Sequence, residues 1–142
     1  EKFEKSFLDQ LTGNGFYEIM NNSLCKGEDY DVLQPELRAQ LVEMLNPLSQ
    51  DLNVMRGHLL FGALQAISFN QKRQQPNVRL FERGKSYGQG SNGYFEQMHL
   101  DLAISGTKGA DHWIGNPVEN DFFSLKGLIE VALERFGLNL SR

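Results

Sequence analysis

The sequence predicts an α+β domain in which helices flank a largely antiparallel sheet. Three observations lead there. Apolar residues recur at helical spacing near both ends of the chain and in its middle. Two segments with a period of two, Val78 to Tyr87 and Tyr94 to Ser105, lie on either side of a glycine-rich stretch. A chain of 142 residues, 40% of them hydrophobic, suffices for one core and is short for two, so residues 1–142 are expected to form a single domain.

The elements follow in order. From Glu1 to Thr12, Phe3, Phe7, Leu8 and Leu11 form one stripe of an amphipathic helix, and Gly13-Asn14-Gly15 supplies its left-handed stop. Phe16 to Leu24 reads as a strand. Cys25 to Arg38 reads as polar and irregular, broken by Gly27 and Pro35. Leu41 to Leu45 is a short extended run and Asn46-Pro47-Leu48-Ser49 a turn. A long helix is expected from about Gly57 to Lys72, with Leu60, Ala63, Leu64 and Ile67 on its buried face and Pro76 as the breaker beyond it. In the second extended segment Met98, Leu100, Leu102 and Ile104 share one face, and Gln97, His99 and Asp101 the other. A loop over Gly106 to Asn120 carries Trp113 and Pro117. Asp121 is placed to cap a last helix, Phe122 to Phe136, which buries Leu125, Leu128, Ile129, Ala132, Leu133 and Phe136 before Gly137 ends it.

Composition narrows the function classes. A net charge of −4 argues against a stand-alone nucleic-acid binder, without excluding a module that meets RNA inside something larger. One cysteine, Cys25, allows no internal disulfide and suits a reducing, cytoplasmic setting. No apolar run reaches the ~18 residues of a membrane span. The chain opens on Glu1 rather than Met, as expected of a piece of a longer polypeptide.

Candidate chemistry is sparse. Gly88, Gly90 and Gly93 have dinucleotide-loop spacing, but YFEQMHLDLAIS after them has a strand period, so no helix N-terminus is there to receive a pyrophosphate. A flexible hairpin loop is the expectation. His58, His99 and His112 have no metal-ligand spacing, and no metal site is expected. His99 and Asp101 share a strand face and suit either an acid–base pair or separate hydrogen bonds. Arg56, Arg79, Arg83 and Lys85 are the candidates to hold phosphate, and the last three share the face of Phe81 and Tyr87, which suits either base stacking or a solvated strand. Tyr94, Phe95, His112 and Trp113 are the residues available to line a vestigial pocket.

The run NPLSQDLNVMRGHLLFGALQAISFNQKR, followed by VRLFERGKSYG, is more specific. It resembles the catalytic-like core of the bacterial phenylalanyl-tRNA synthetase beta subunit. The matching positions are Asn46, Pro47 and the rest of that turn through Ser49, Met55-Arg56, Leu59 to Leu64, Asn70 to Arg73, and the strand from Arg79 through Phe81 and Glu82 to Gly84. GNGFYEIMNNSL and DFFSLKGLIEVALERFG extend the resemblance over nearly the whole chain.

The resemblance implies a class II aminoacyl-tRNA synthetase core. The whole enzyme would attach phenylalanine to tRNA with ATP and Mg2+, as a heterotetramer of two alpha and two beta subunits. In the active members of the class a strand of this kind ends in Phe-Arg-x-Glu, the Arg pairing with the ATP α-phosphate. Here Gly88 stands in the Arg position and Gly90 in the Glu position. The resemblance therefore implies a scaffold for the alpha subunit, with no catalytic, cofactor-binding or metal-binding residue of its own and inactive alone. Arg56, Arg79 and Glu82 are expected to be structural, and Phe3, Phe7, Leu8 and Leu11 to form an interface. A free-standing synthetase paralogue that binds an amino acid or nucleotide is the alternative.

Overall fold

The structure, a computed structural model, describes residues 2–33, 35–109 and 116–138, with side chains for all of these except 2, 3 and 33. The elements run α1 (Lys2–Gly13), β1 (Tyr17–Glu18), β2 (Leu24–Cys25), α2 (Glu28–Leu33), α3 (Pro35–Arg38), a 3-10 turn (Gln50–Leu52), β3 (Val54–Met55), α4 (Leu60–Gln71), β4 (Val78–Gly90), β5 (Gly93–Ser105) and α5 (Phe122–Glu134). β1, β4 and β5 make one sheet in that order, with β1 parallel to β4 in the register Tyr17↔Leu80 and Glu18↔Phe81. β2 and β3 make a separate antiparallel pair. Among the described residues no helix is long and apolar enough to cross a membrane.

Two compact units divide the chain. The first takes Glu1–Glu18, Ile67–Phe81 and Leu102–Arg142. Its core is Leu11, Phe16 and Phe81, each at most 2% exposed, with Phe7, Leu8, Leu102, Ile104, Leu125 and Leu128 against it. α1 enters this core through a Schellman end. Gly15 adopts φ +81°, its N–H donates to the Thr12 carbonyl, and the Phe16 N–H donates to the Leu11 carbonyl at 3.1 Å. That bond brings Phe16 and Leu11 together, which is the apolar contact the motif favours. α5 closes in the same way on Gly137, at φ +74°. At its start the Asp121 carboxylate accepts from the Ser124 N–H at 2.7 Å, and the Ser124 hydroxyl accepts from the Asp121 N–H, a complete capping box.

The second unit takes Ile19–Ala66 and Glu82–Asp101. Its apolar core is Tyr30, Leu41, Val54 and Phe61, with Cys25 and Leu37 alongside. Three expectations are corrected here. The strand expected over Phe16 to Leu24 is interrupted after Glu18, because the Asn21 N–H donates to the Glu82 carboxylate instead of to a ladder. The stretch from Cys25 to Arg38 is helical in two short pieces, α2 and α3, held by the fully buried Tyr30. The buried face of α4 is also rotated. Leu60 and Leu64 are 42% and 45% exposed, while Phe61 is inside beside Ala63, which is buried as expected. Phe61 turns in because its ring meets Tyr30 edge-on at 4.7 Å.

The glycine-rich stretch is a correction too. β4 continues to Gly90 and β5 begins at Gly93, so Gly88 and Gly90 are strand residues and the turn is two residues long. In β5, Leu102 and Ile104 pack into the first core as their face requires. Met98 and Leu100, on the same face in the second unit, are 47% and 38% exposed, whereas the polar His99 and Asp101 are half-buried.

The rotated face of α4 is open to test. Phe61→Ala should cost about 3–5 kcal/mol in urea unfolding, as a buried aromatic does. Leu64→Ser, on the exposed side, should stay within about 1 kcal/mol. A larger loss for Leu64→Ser than for Phe61→Ala would mean that the helix presents the face read from its sequence.

Candidate functional site

β4 carries the residues that the class II resemblance singles out, and the second unit shows what they do. Glu82, 2% exposed, accepts at one oxygen from Arg56 Nη1 at 2.6 Å and from the Asn21 N–H at 3.2 Å. Its other oxygen accepts from Asn21 Nδ2 at 2.6 Å. Arg56, 7% exposed, also donates from Nε to the Lys85 carbonyl at 2.9 Å. Its backbone is engaged as well: the Arg56 N–H donates to the Ser23 carbonyl, and its carbonyl accepts from the Tyr87 N–H. Three chain segments thus meet on one ion pair. Gly84 makes room for it, since a Cβ there would collide with Arg56 Nη2.

Further along the same strand face the Ser86 hydroxyl and His99 Nε2 are 2.8 Å apart. His99 is therefore engaged with Ser86. Burial raises the Asp101 carboxyl above its usual range, and the negative Glu82 adds to this. His58 has both ring nitrogens buried without a hydrogen-bond partner, and burial lowers its pKa. Tyr30 accepts at its hydroxyl from the Gly57 N–H at 2.8 Å and the His58 N–H at 3.4 Å, and burial pushes its own pKa up to about 12.

Gly88 is the position that the resemblance matches to the arginine of active class II members. It is buried, and a Cβ there would lie 2.5 Å from the Phe95 ring. The cross-strand aromatic thus fills the space above the glycine. This arrangement does not fit an ATP α-phosphate: a ring occupies the place, and glycine supplies no charge for a transferring phosphoryl group. Gly90 is exposed, with Phe95 still within 4 Å of where its Cβ would be.

The remaining singled-out residues separate. In the first unit Arg79 Nη1 donates to the Asn14 carbonyl at the end of α1, at 3.0 Å. Phe81 is buried in that unit's core, so it offers no face for base stacking. Lys85 pairs with Glu96 at 2.5 Å across the hairpin. Asn46 and Pro47 are exposed. Of the α1 stripe, Leu11 is fully buried, Phe7 and Leu8 are half-buried against the same core, and Phe7 meets Phe136 at 5.7 Å. The Phe3 side chain lies outside the described residues, as do His112 and Trp113. Tyr94 is 74% exposed and lies beside Arg38 in an open polar cleft. Asn21 and Phe95 do more here than their sequence suggested. Asn21 sits in an unremarkable polar run, and only the fold brings it to Glu82.

Two outcomes test this geometry. Glu82→Gln should cost about 3–5 kcal/mol, because it leaves the Arg56 guanidinium buried without its counter-charge; a loss below about 1 kcal/mol in urea unfolding would contradict the ion pair's role. Tyr30 supplies a pH dependence. Its folded pKa lies above the ordinary value of 10.0, so the folded state holds that proton more tightly than the unfolded chain. The associated stability is present below pH 10 and is lost as pH rises toward about 12. Tyrosinate absorbance followed together with circular dichroism should show the last tyrosine ionising only as the fold is lost.

The comparisons with known proteins agree with this frame. Phenylalanine–tRNA ligase beta subunits from Bacteroides thetaiotaomicron and Porphyromonas gingivalis are 38% and 37% identical, over 98% and 96% of this chain and 18% of each relative. One from Aliivibrio fischeri is 35% identical over 92% of this chain. The chain thus spans less than a fifth of the length of the curated relatives it matches. Among solved structures, a pyrrolysyl-tRNA synthetase from Desulfitobacterium hafniense superposes with TM-score 0.69 at 18% identity, covering 97% of this chain and 45% of that one. An ATP phosphoribosyltransferase regulatory subunit/histidyl-tRNA synthetase from Bacillus halodurans gives 0.62 at 24% identity, covering 98% and 35%. These place the fold in the class II synthetase core. The phenylalanyl-tRNA synthetase beta chain CLM domain model matches residues 1–142, and the chain belongs to that family.

Proposed function

We propose that this chain is the non-catalytic core domain of a phenylalanine–tRNA ligase beta subunit, and that it scaffolds the alpha subunit. The whole enzyme would be a cytoplasmic heterotetramer of two alpha and two beta subunits that attaches phenylalanine to tRNA with ATP and Mg2+. One observation carries the non-catalytic part: Phe95 packs onto Gly88 at the point where an activating arginine would reach a nucleotide phosphate. Family membership and the small share of each relative's length support placing the domain inside a longer subunit.

Under this reading Phe3, Phe7 and Leu8 on α1 provide the partner surface. Leu11, at 1% exposed, anchors the helix from beneath and stays with its own core. The buried Arg56–Glu82 pair contributes to assembly indirectly, by holding the second unit in shape.

The test is phenylalanine-dependent pyrophosphate exchange by the co-expressed alpha and beta subunits. Exchange should require the alpha subunit and be absent from the beta subunit alone. Gly88→Arg in the beta subunit should give no exchange without alpha and should lower the melting temperature, because its Cβ meets the Phe95 ring. Adding Phe95→Ala should recover part of the stability and still no exchange, since positioning needs several groups at once. Exchange by the beta subunit alone would sink the proposal.

A further inference from the structure

The first unit contains a cavity of about 330 Å³, lined by the turn after α1, the start of β4 and the segment that follows β5. Two cations, Arg79 and Lys108, stand in its wall, and the described lining residues include no carboxylate. Lys108 is paired with Asp121 just outside that lining, and among the described residues Arg79 meets only a carbonyl oxygen there.

Hydrogen bonds unrelated to any strand ladder hold the wall in place. Asn77 Oδ1 accepts from the Thr107 N–H at 2.9 Å and from its hydroxyl at 3.3 Å. Asn120 Nδ2 donates to the carbonyls of Ser105, Gly106 and Thr107. Gly106, at φ +80°, lets this loop press onto Asn77, where any Cβ would run into the Asn77 side chain and the Pro76 carbonyl. Two asparagines and a left-handed glycine thus shape a polar wall in advance.

The cations are held but not exhausted. Arg79 has five N–H donors, and its bond to the Asn14 carbonyl orients the guanidinium. Lys108 meets Asp121 Oδ2 at 3.1 Å, while the other oxygen of that carboxylate caps α5. The pair is exposed and of the weak surface kind, so Lys108 is able to turn to a stronger anion. At the rim Tyr17 is 73% exposed, an aromatic face open to solvent beside the cations.

We propose that this cavity seats a backbone phosphate of an RNA strand between Arg79 and Lys108, with the adjoining base stacked on Tyr17. The inference rests on the reading of the whole protein as a tRNA ligase and adds a contact point on this domain. A phosphate needs two convergent cations and polar donors, and a base needs an open aromatic plane. A free inorganic phosphate would use the cations and ignore Tyr17.

The experiment uses the full-length beta subunit assembled with its alpha partner, and fluorescent tRNA titrated at several salt concentrations. Lys108→Ala should reduce the slope of log K against log salt by about one, as loss of one phosphate contact does. Tyr17→Ala should weaken binding at least roughly fivefold, with Tyr17→Phe restoring it, because stacking requires only the ring. Tyr17 and Lys108 are both exposed, so neither change should unfold the domain. Crosslinking with 4-thiouridine-containing tRNA should mark peptides carrying Tyr17 or Lys108. Unchanged affinity and slope in both variants would overturn the inference, and so would competition by inorganic phosphate that is lost in Lys108→Ala while Tyr17→Ala binds tRNA normally. The same preparations are assayed for phenylalanine attachment. Wild-type charging with unaffected variants removes this contact alone, whereas a wild-type assembly that neither binds nor charges tRNA removes the reading beneath it.

Discussion

A guanidinium and a carboxylate buried together beside β4 set the conditions for the rest of the second unit. Taking two charges out of water costs several kcal/mol per ion unless every donor and acceptor finds a partner. Glu82 meets that condition with one arginine and both nitrogens of Asn21, and Arg56 meets it with Glu82 and two carbonyls. The consequence is geometric. Residues 21–23, 56 and 82–87 are tied at one point, so the chain around Asn21 gives up its strand ladder and residue 84 has to be glycine. A network of this kind tolerates no partial loss, because each remaining charge would be stranded in an apolar setting.

The same strand shows how a cross-strand aromatic can take up the space over a glycine. Position 88, which the resemblance matches to a charged residue, is glycine here, and Phe95 packs where its Cβ would stand. The ring adds buried apolar area on the hairpin, where an unfilled glycine would leave the strands loosely paired.

Much of the fold was legible in the residues. The three main helices, the two long strands, the Asp121 cap and the glycine stops each rest on local physics: hydrophobic period, side-chain capping and the freedom of glycine at positive φ. Linked motifs from Asn46 to Gly84 pointed to the family, which the matching domain model bears out. Face assignments failed where a local stripe had to compete with a specific partner. Leu60 and Leu64 lost the buried face of α4 to Phe61, because Tyr30 offered its ring an edge-on contact. Met98 and Leu100 stayed outward while His99 found Ser86.

The sequence by itself determined the class of fold, the order of its three main helices and two long strands, and the lack of a charged residue at position 88, since these depend on spacing and residue type alone. Only the tertiary structure decided which groups share a site. Arg56 and Glu82 are 26 residues apart, Asn21 and Glu82 are 61 apart, and Arg79 and the Asn14 carbonyl 65. No periodicity encodes such pairings. They follow from where the chain must pass once its apolar faces are buried, and a buried charge then accepts whichever donor the passing backbone delivers.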